Sequence, residues 1–160
     1  MRISVDINGQ QYEEDVDPRL LLSDFIRHHA GLTGTKVGCE QGVCGACSVQ
    51  LDGEPIRSCL MLAVQANGRA IRTVEGLARN GELHPLQRAF HEAHALQCGF
   101  CTPGFLMSME AFLREHPEPG GEELREALAG NLCRCTGYLG IIEAVELAAR
   151  EMREADVQGH

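Results

Sequence analysis

Eight cysteines in 160 residues fall into two sets of four, and their spacing is the most chemically informative feature of the chain. In the first set, Cys39, Cys44 and Cys47 form C-x4-C-x2-C inside CEQGVCGAC, and Cys59 follows after eleven residues. That is the spacing of a plant-type [2Fe–2S] loop in its first three ligands. Such a centre, with four thiolates, carries a formal charge of about −2 oxidised and about −3 reduced. Burying that charge requires hydrogen-bond donors close to sulfur. Gly38, Gly42 and Gly45 let a loop turn its N–H groups inward without obstruction from a Cβ. The alternative, a Zn(Cys)4 site, usually pairs two C-x2-C knuckles and needs no glycine-rich cradle. For this set the pattern favours the cluster.

The second set is C-x2-C at Cys98 and Cys101, thirty-one residues, then C-x-C at Cys133 and Cys135. Residues two apart on a helix point to different sides, so Cys133 and Cys135 converge only in a loop or at a helix end. Thr102-Pro103-Gly104 and Thr136-Gly137 follow the two pairs, as expected of ligands at helix starts, where N–H groups favour a negative centre. By spacing alone this set is open between zinc and iron–sulfur. A zinc site of His91 and His94 with Cys98 and Cys101 would leave Cys133 and Cys135 unused. The two histidines read instead as partly exposed helix residues.

The elements that must position these thiols differ between the two halves. ISVDI alternates polar and apolar, Asn8-Gly9 is a hairpin signal, and QYEEDV returns as a strand. Asp17-Pro18 has the form of a helix start, and RLLLSDFIRHHA puts Leu21, Leu22, Phe25 and Ile26 on one helical face with Gly31 as the stop. CSVQL and PIRSC flank a second hairpin signal, Asp52-Gly53, and AIRTV is a last strand. From about residue 75 the period becomes helical, with helices expected over Leu83–Leu96, Thr102–Glu115, Glu122–Ala129 and Thr136–Glu154. An α+β chain of two domains follows, residues 1–76 carrying a small mixed sheet and residues 77–160 a four-helix bundle.

Composition narrows the function classes. The net charge is −9 with no basic footprint, so nucleic acid is not an expected partner. No apolar run is long enough for a membrane span. The opening MRISVDINGQ has no signal-peptide pattern, which points to the cytoplasm, where clustered cysteines more often bind metal than form disulfides. No G-x-G-x-x-G fingerprint or nucleophile–base pair is present, and the scattered Asp and Glu are read as surface charge, so no catalytic residue is assigned.

TGTKVGCEQGVCGACSVQLDG, LQCGFCTPGF and GNLCRCTGY, in this order, resemble the small iron–sulfur subunit of the molybdenum hydroxylases, the family of xanthine dehydrogenase and aerobic carbon monoxide dehydrogenase. The resemblance spans nearly the whole chain. It implies a β-grasp, plant-type ferredoxin-like domain followed by a four-helix [2Fe–2S]-binding domain. It also implies that Cys39, Cys44, Cys47 and Cys59 ligate the cluster distal to molybdenum, and Cys98, Cys101, Cys133 and Cys135 the proximal one. Gln97 and Cys135 would stand on the pterin side of the molybdenum cofactor, where an amide can match a pterin edge. The implied assembly is a doubled heterotrimer with a large molybdopterin subunit and a medium FAD subunit, this chain relaying electrons between them. Two rival classes are a free-standing ferredoxin-like carrier, for which one centre would suffice, and a structural zinc module. Leu139-Gly140 stand where relatives often have a polar residue after GY, which bears on a partner contact and on no ligand. The connecting residues GCEQGVCG and RSCLMLAVQANG are similar to those of relatives that oxidise N-heteroaromatic rings or carbon monoxide. They do not identify a substrate.

Overall fold

The computed structural model describes residues 1–158; the last two residues of the tail EADVQGH lie outside that range. Strands β1 (Arg2–Ile7), β2 (Gln10–Asp15), β3 (Ser48–Leu51), β4 (Glu54–Arg57) and β5 (Ala70–Arg72) form one mixed sheet in the order β2-β1-β5-β3-β4. Only β1 and β5 run parallel. Both hairpin signals act as read: Ile7 pairs with Gln10 and Leu51 with Glu54, leaving two-residue turns. Asn8-Gly9 and Asp52-Gly53 take positive φ at both positions, matching the twist of the flanking strands. Ile3, Val5 and Ile7 alternate into a core with Leu22, Phe25, Ile26, Val49, Leu51 and Ile71.

The helix on this sheet is shorter than its sequence pattern. Helix α1 (Leu22–Asp24) begins at Leu22 and runs on as a wide π turn over Phe25–His29, before Gly31 at φ 71°. Asp17 caps nothing helical; its carboxylate accepts the Arg19 N–H at 2.8 Å and pairs with the Arg19 guanidinium. Residues 20–22 are taken by tertiary pairing instead. Leu22 N–H donates to Met61 O at 2.7 Å and Ala63 N–H to Leu20 O at 2.8 Å, so strand-like bonds replace the first helical turn.

The second half holds α2 (Pro85–Glu92), α3 (Thr102–Glu115), α4 (Gly121–Leu128) and α5 (Leu139–Gln158) around a separate core built from Leu86, Phe90, Phe105, Met109, Leu113 and Val145, among others. The α+β class and four C-terminal helices are as expected. Helix α2 starts where His84 accepts the Leu86 N–H and Pro85 follows. Helix α5 begins three residues later than its pattern, because Gly137 and Tyr138 hold φ of 68° and 72°, outside helical space. Helix α3 lies against β3 and β4, joining the two halves. Among the described residues, no helix is long and apolar enough to cross a membrane.

Candidate metal centres

The loop before β3 brings Cys39, Cys44 and Cys47 together, and the 3-10 turn Ser58–Leu60 after β4 brings Cys59 to them. Cys47 and Cys59 are buried, Cys39 and Cys44 half-buried. The thiols are close enough to act on one another: Cys44 bears on Cys39, and both Cys47 and Cys39 bear on Cys59. Backbone N–H groups of Cys44 and Gln41 donate to Cys39 Sγ, each at 3.4 Å. They lower its thiol to about 6, the Cys44 N–H having the larger effect. Burial, reinforced by the neighbouring Cys47, pushes Cys59 the other way, to about 11. The inward-turned N–H groups anticipated from the glycine-rich text are therefore present.

In the second site Cys101 is the residue on which α3 starts, and Cys98 stands in the bend before it. Cys133 and Cys135 lie in the loop before α5, clear of any helix, so convergence occurs in a loop as their spacing requires. Thr102 is the first helical residue, not the cap, and Pro103 follows it. Cys98 Sγ lies 3.5 Å from Cys135 Sγ, both exposed, while half-buried Cys101 neighbours half-buried Cys133 and also Cys98. Burial and the adjacent Cys133 push the Cys101 thiol up to about 12. Gln97 is exposed, and its Nε2 donates to Cys135 O at 3.1 Å, tying the two halves of the site together. His91 and His94 are exposed, and His94, at φ 50°, has already left α2.

Four cysteines brought together in each region match the all-thiolate donor set of a [2Fe–2S] unit. The donor sets of both sites thus fit a [2Fe–2S] unit.

The two sites touch. Leu132 N–H donates to Cys44 O at 2.8 Å, and the Asn131 amide donates to Gly45 O at 3.0 Å. A Cβ on Gly45 would stand 2.7 Å from Gly130 O, and its φ of 74° already disfavours a side chain. Gly104, in the first turn of α3, allows the helix to close on that same stretch: its Cβ would stand 3.1 Å from the Ala46 Cα.

One buried group was missed by the expectation that Asp and Glu are surface charge. Glu110 on α3 has a side chain only 5% exposed. It accepts from Gln50 on β3 at 2.5 Å and pairs with Arg72 on β5 at 2.8 Å and Arg114 at 3.3 Å. Gln50 also donates to Met107 O at 3.0 Å. The signal was available: Glu110 sits four residues after Leu106 and three before Leu113, on the buried stripe of its helix.

Fold and thiol geometry together define a protein with two [2Fe–2S] centres, one on a β-grasp sheet and one in a helical bundle. Known proteins agree. Residues 5–76 match the family model described as "2Fe-2S iron-sulfur cluster binding domain", and residues 73–146 the "[2Fe-2S] binding domain" model. The chain is 60% identical over 147 residues to the caffeine dehydrogenase subunit gamma of Pseudomonas sp. (strain CBB1), covering 90% of this chain and 88% of that one. It is 57% identical to the nicotine 6-hydroxylase small subunit of Paenarthrobacter nicotinovorans, covering 91% and 87% of the two chains. The structure superposes on a chain of quinoline 2-oxidoreductase from Pseudomonas putida 86 with a TM-score of 0.92 and 53% identity, covering 96% of each. The chain belongs to the small iron–sulfur subunits of the xanthine dehydrogenase-type molybdenum hydroxylases.

Proposed function

We propose that this chain is the electron-transfer subunit of a cytoplasmic molybdenum hydroxylase, assembled as a doubled heterotrimer with a large molybdopterin subunit and a medium FAD subunit. When bound, its two [2Fe–2S] clusters supply one-electron redox steps between the molybdenum site and the flavin. Cys39, Cys44, Cys47 and Cys59 hold the distal cluster in a domain of residues 1–76. Cys98, Cys101, Cys133 and Cys135 hold the proximal one in residues 77–160, with Gln97 and Cys135 facing the pterin. The observation that carries this reading is the gathering of four cysteines in each of two loop regions, with backbone N–H groups on Cys39 Sγ in the first and Cys98 Sγ 3.5 Å from Cys135 Sγ in the second, the regions joined by the bond from Leu132 N–H to Cys44 O.

The chain's own work is to shield, tune and place. Cys47 and Cys59 are buried while Cys98 and Cys135 are exposed, which supports the second site as the one a partner chain covers. Leu96, Phe100, Leu132 and Leu139, close to the second ligand set in sequence, are 41–67% exposed. Apolar side chains left in water beside a redox site support burial against a larger subunit. The names of the caffeine, nicotine and quinoline enzymes support a nitrogen heteroaromatic substrate for the complex. That substrate would be bound outside this chain.

The test is iron, zinc and acid-labile sulfide analysis of the purified chain with EPR after dithionite reduction. About four irons per chain and two distinct signals are expected, together with copurification of two larger chains from the native host. Zinc in place of iron, with no EPR signal, would overturn the reading.

A further inference from the structure

Two side chains shape the loop that carries Cys133 and Cys135: Thr136 and Tyr138. Thr136 Oγ1 lies 3.2 Å from Cys133 Sγ and accepts the Tyr138 N–H at 3.2 Å. A hydroxyl has one proton, and with a backbone donor facing its oxygen that proton is left for the sulfur. Tyr138 fixes the arrangement from both ends. Its phenol accepts the Cys133 N–H at 3.0 Å and donates to Asn131 O at 3.2 Å. Its ring stands edge-on to buried Phe105, centroids 6.1 Å apart. The price is a backbone φ of 72°, which an aromatic residue rarely adopts unless its surroundings impose it. Among the described residues, no other side-chain hydroxyl reaches a cysteine sulfur.

We infer that Thr136 donates a hydrogen bond to the Cys133 ligand sulfur and thereby raises the reduction potential of the second cluster, with Tyr138 as the positioning residue that aims it. This rests on the ligand assignment proposed above. Adding an electron makes the ligand sulfurs more negative, so a donor aimed at one of them stabilises the reduced state more than the oxidised. The effect is local to one centre, because Thr136 touches a ligand of the second set only.

The experiment is an EPR-monitored redox titration of the full chain, comparing wild type with T136V, T136A and T136S. At the potential where the wild-type second cluster is half reduced, T136V and T136A should show a reduced-to-oxidised ratio roughly three- to tenfold lower. At 59 mV per tenfold for one electron, that is a downward shift of about 30–60 mV. T136S, which keeps the hydroxyl, should titrate with the wild type, and the first cluster should not move in any variant. An unmoved second cluster in T136V, an equal shift in both clusters, or a T136S shift as large as that of T136V overturns the inference. Loss of iron from the second site in both T136V and T136A overturns it as well, making the hydroxyl a requirement for assembly instead of a setting of potential. Failure of the ligand assignment on which the inference rests is separate, because it would leave the second site of the wild type itself without iron.

Discussion

Replacing Glu110 by alanine removes the charge on which the sheet and α3 converge. The carboxylate is 5% exposed and faces Gln50, Arg72 and Arg114, whereas the two arginine side chains are 24% and 46% exposed. Breaking a buried ion pair from one side costs about 3–5 kcal/mol when the other charge is left dry. Here both arginines can turn to water, which lowers the expected loss to about 2–3 kcal/mol, most of it from Gln50 and the vacated space. At about 1.4 kcal/mol per tenfold, native-state hydrogen exchange at residues 49–51 and 107–111 should accelerate roughly 30- to 150-fold in E110A. E110Q preserves the volume but turns its NH2 or its neutral oxygen toward Arg72, so an intermediate acceleration is expected. The pH dependence has a definite sign. Burial pushes the Glu110 carboxyl up, but the Gln50 hydrogen bond and the Arg72 and Arg114 charges outweigh it, leaving the folded-state value below the ordinary 4.5. Its contribution is therefore fully present above about pH 4.5 and is lost as pH falls through the lower folded value, so the gap between wild type and E110A should close in acid. Acceleration of less than threefold at these amides, or an equal acceleration in the β1–β2 hairpin, would refute the reasoning.

Three further outcomes follow from the thiols and their packing. In apoprotein at pH 7.5, limiting iodoacetamide should label Cys39 first, because backbone N–H groups hold its thiol at about 6, and Cys59 and Cys101 last, at about 11 and about 12. Peptide mass spectrometry reads the order, and labelling of Cys101 ahead of Cys39 would contradict the geometry. C59S should abolish one EPR signal and C133S the other, each leaving about two irons per chain; loss of both signals from either variant would mean the ligand sets are not separate. G104A places a methyl 3.1 Å from the Ala46 Cα and against the Gly45 carbonyl, all backbone. Overpacking of that kind costs about 1–3 kcal/mol, and the spin–spin splitting between the reduced clusters should change because α3 must withdraw from the first loop; an unaltered spectrum and melting curve would show that the contact is slack.

What could be read from the sequence was what local chemistry decides. The Asn8-Gly9 and Asp52-Gly53 turns, the apolar alternation of β1, and the full span of α3 all follow from residues within a few positions of one another. The misread positions are those where a distant segment competes. Leu20–Leu22 have a helical pattern, but Met61–Ala63 claim their backbone groups. Thr136 to Tyr138 have the cap-like look of a helix start, yet they stay in a loop, with Gly137 and Tyr138 at positive φ, the Thr136 hydroxyl on Cys133 Sγ and the Tyr138 phenol accepting the Cys133 N–H. Glu110 looks like solvent charge until β3 and β5 arrive with Gln50 and Arg72, some forty to sixty positions away in sequence.

The same contrast separates the two kinds of information in the candidate sites. The proposed ligand sets are marked locally, by spacings of one to eleven residues within each motif apart from the single long gap. Their meeting is not: Cys98 comes within 3.5 Å of Cys135, and Cys101 beside Cys133, only because the start of α3 and the loop before α5 are brought side by side. The same holds for the relation between the sites, which depends on Gly45, Gly104 and Asn131 letting two backbones approach within hydrogen-bond distance. Glu110 belongs to this second class, since β3 leaves directly from Cys47 and α3 directly from Cys101. A change that spares every cysteine can therefore still alter how the two centres face each other, and the helix–sheet seam is where such changes should have their largest effect.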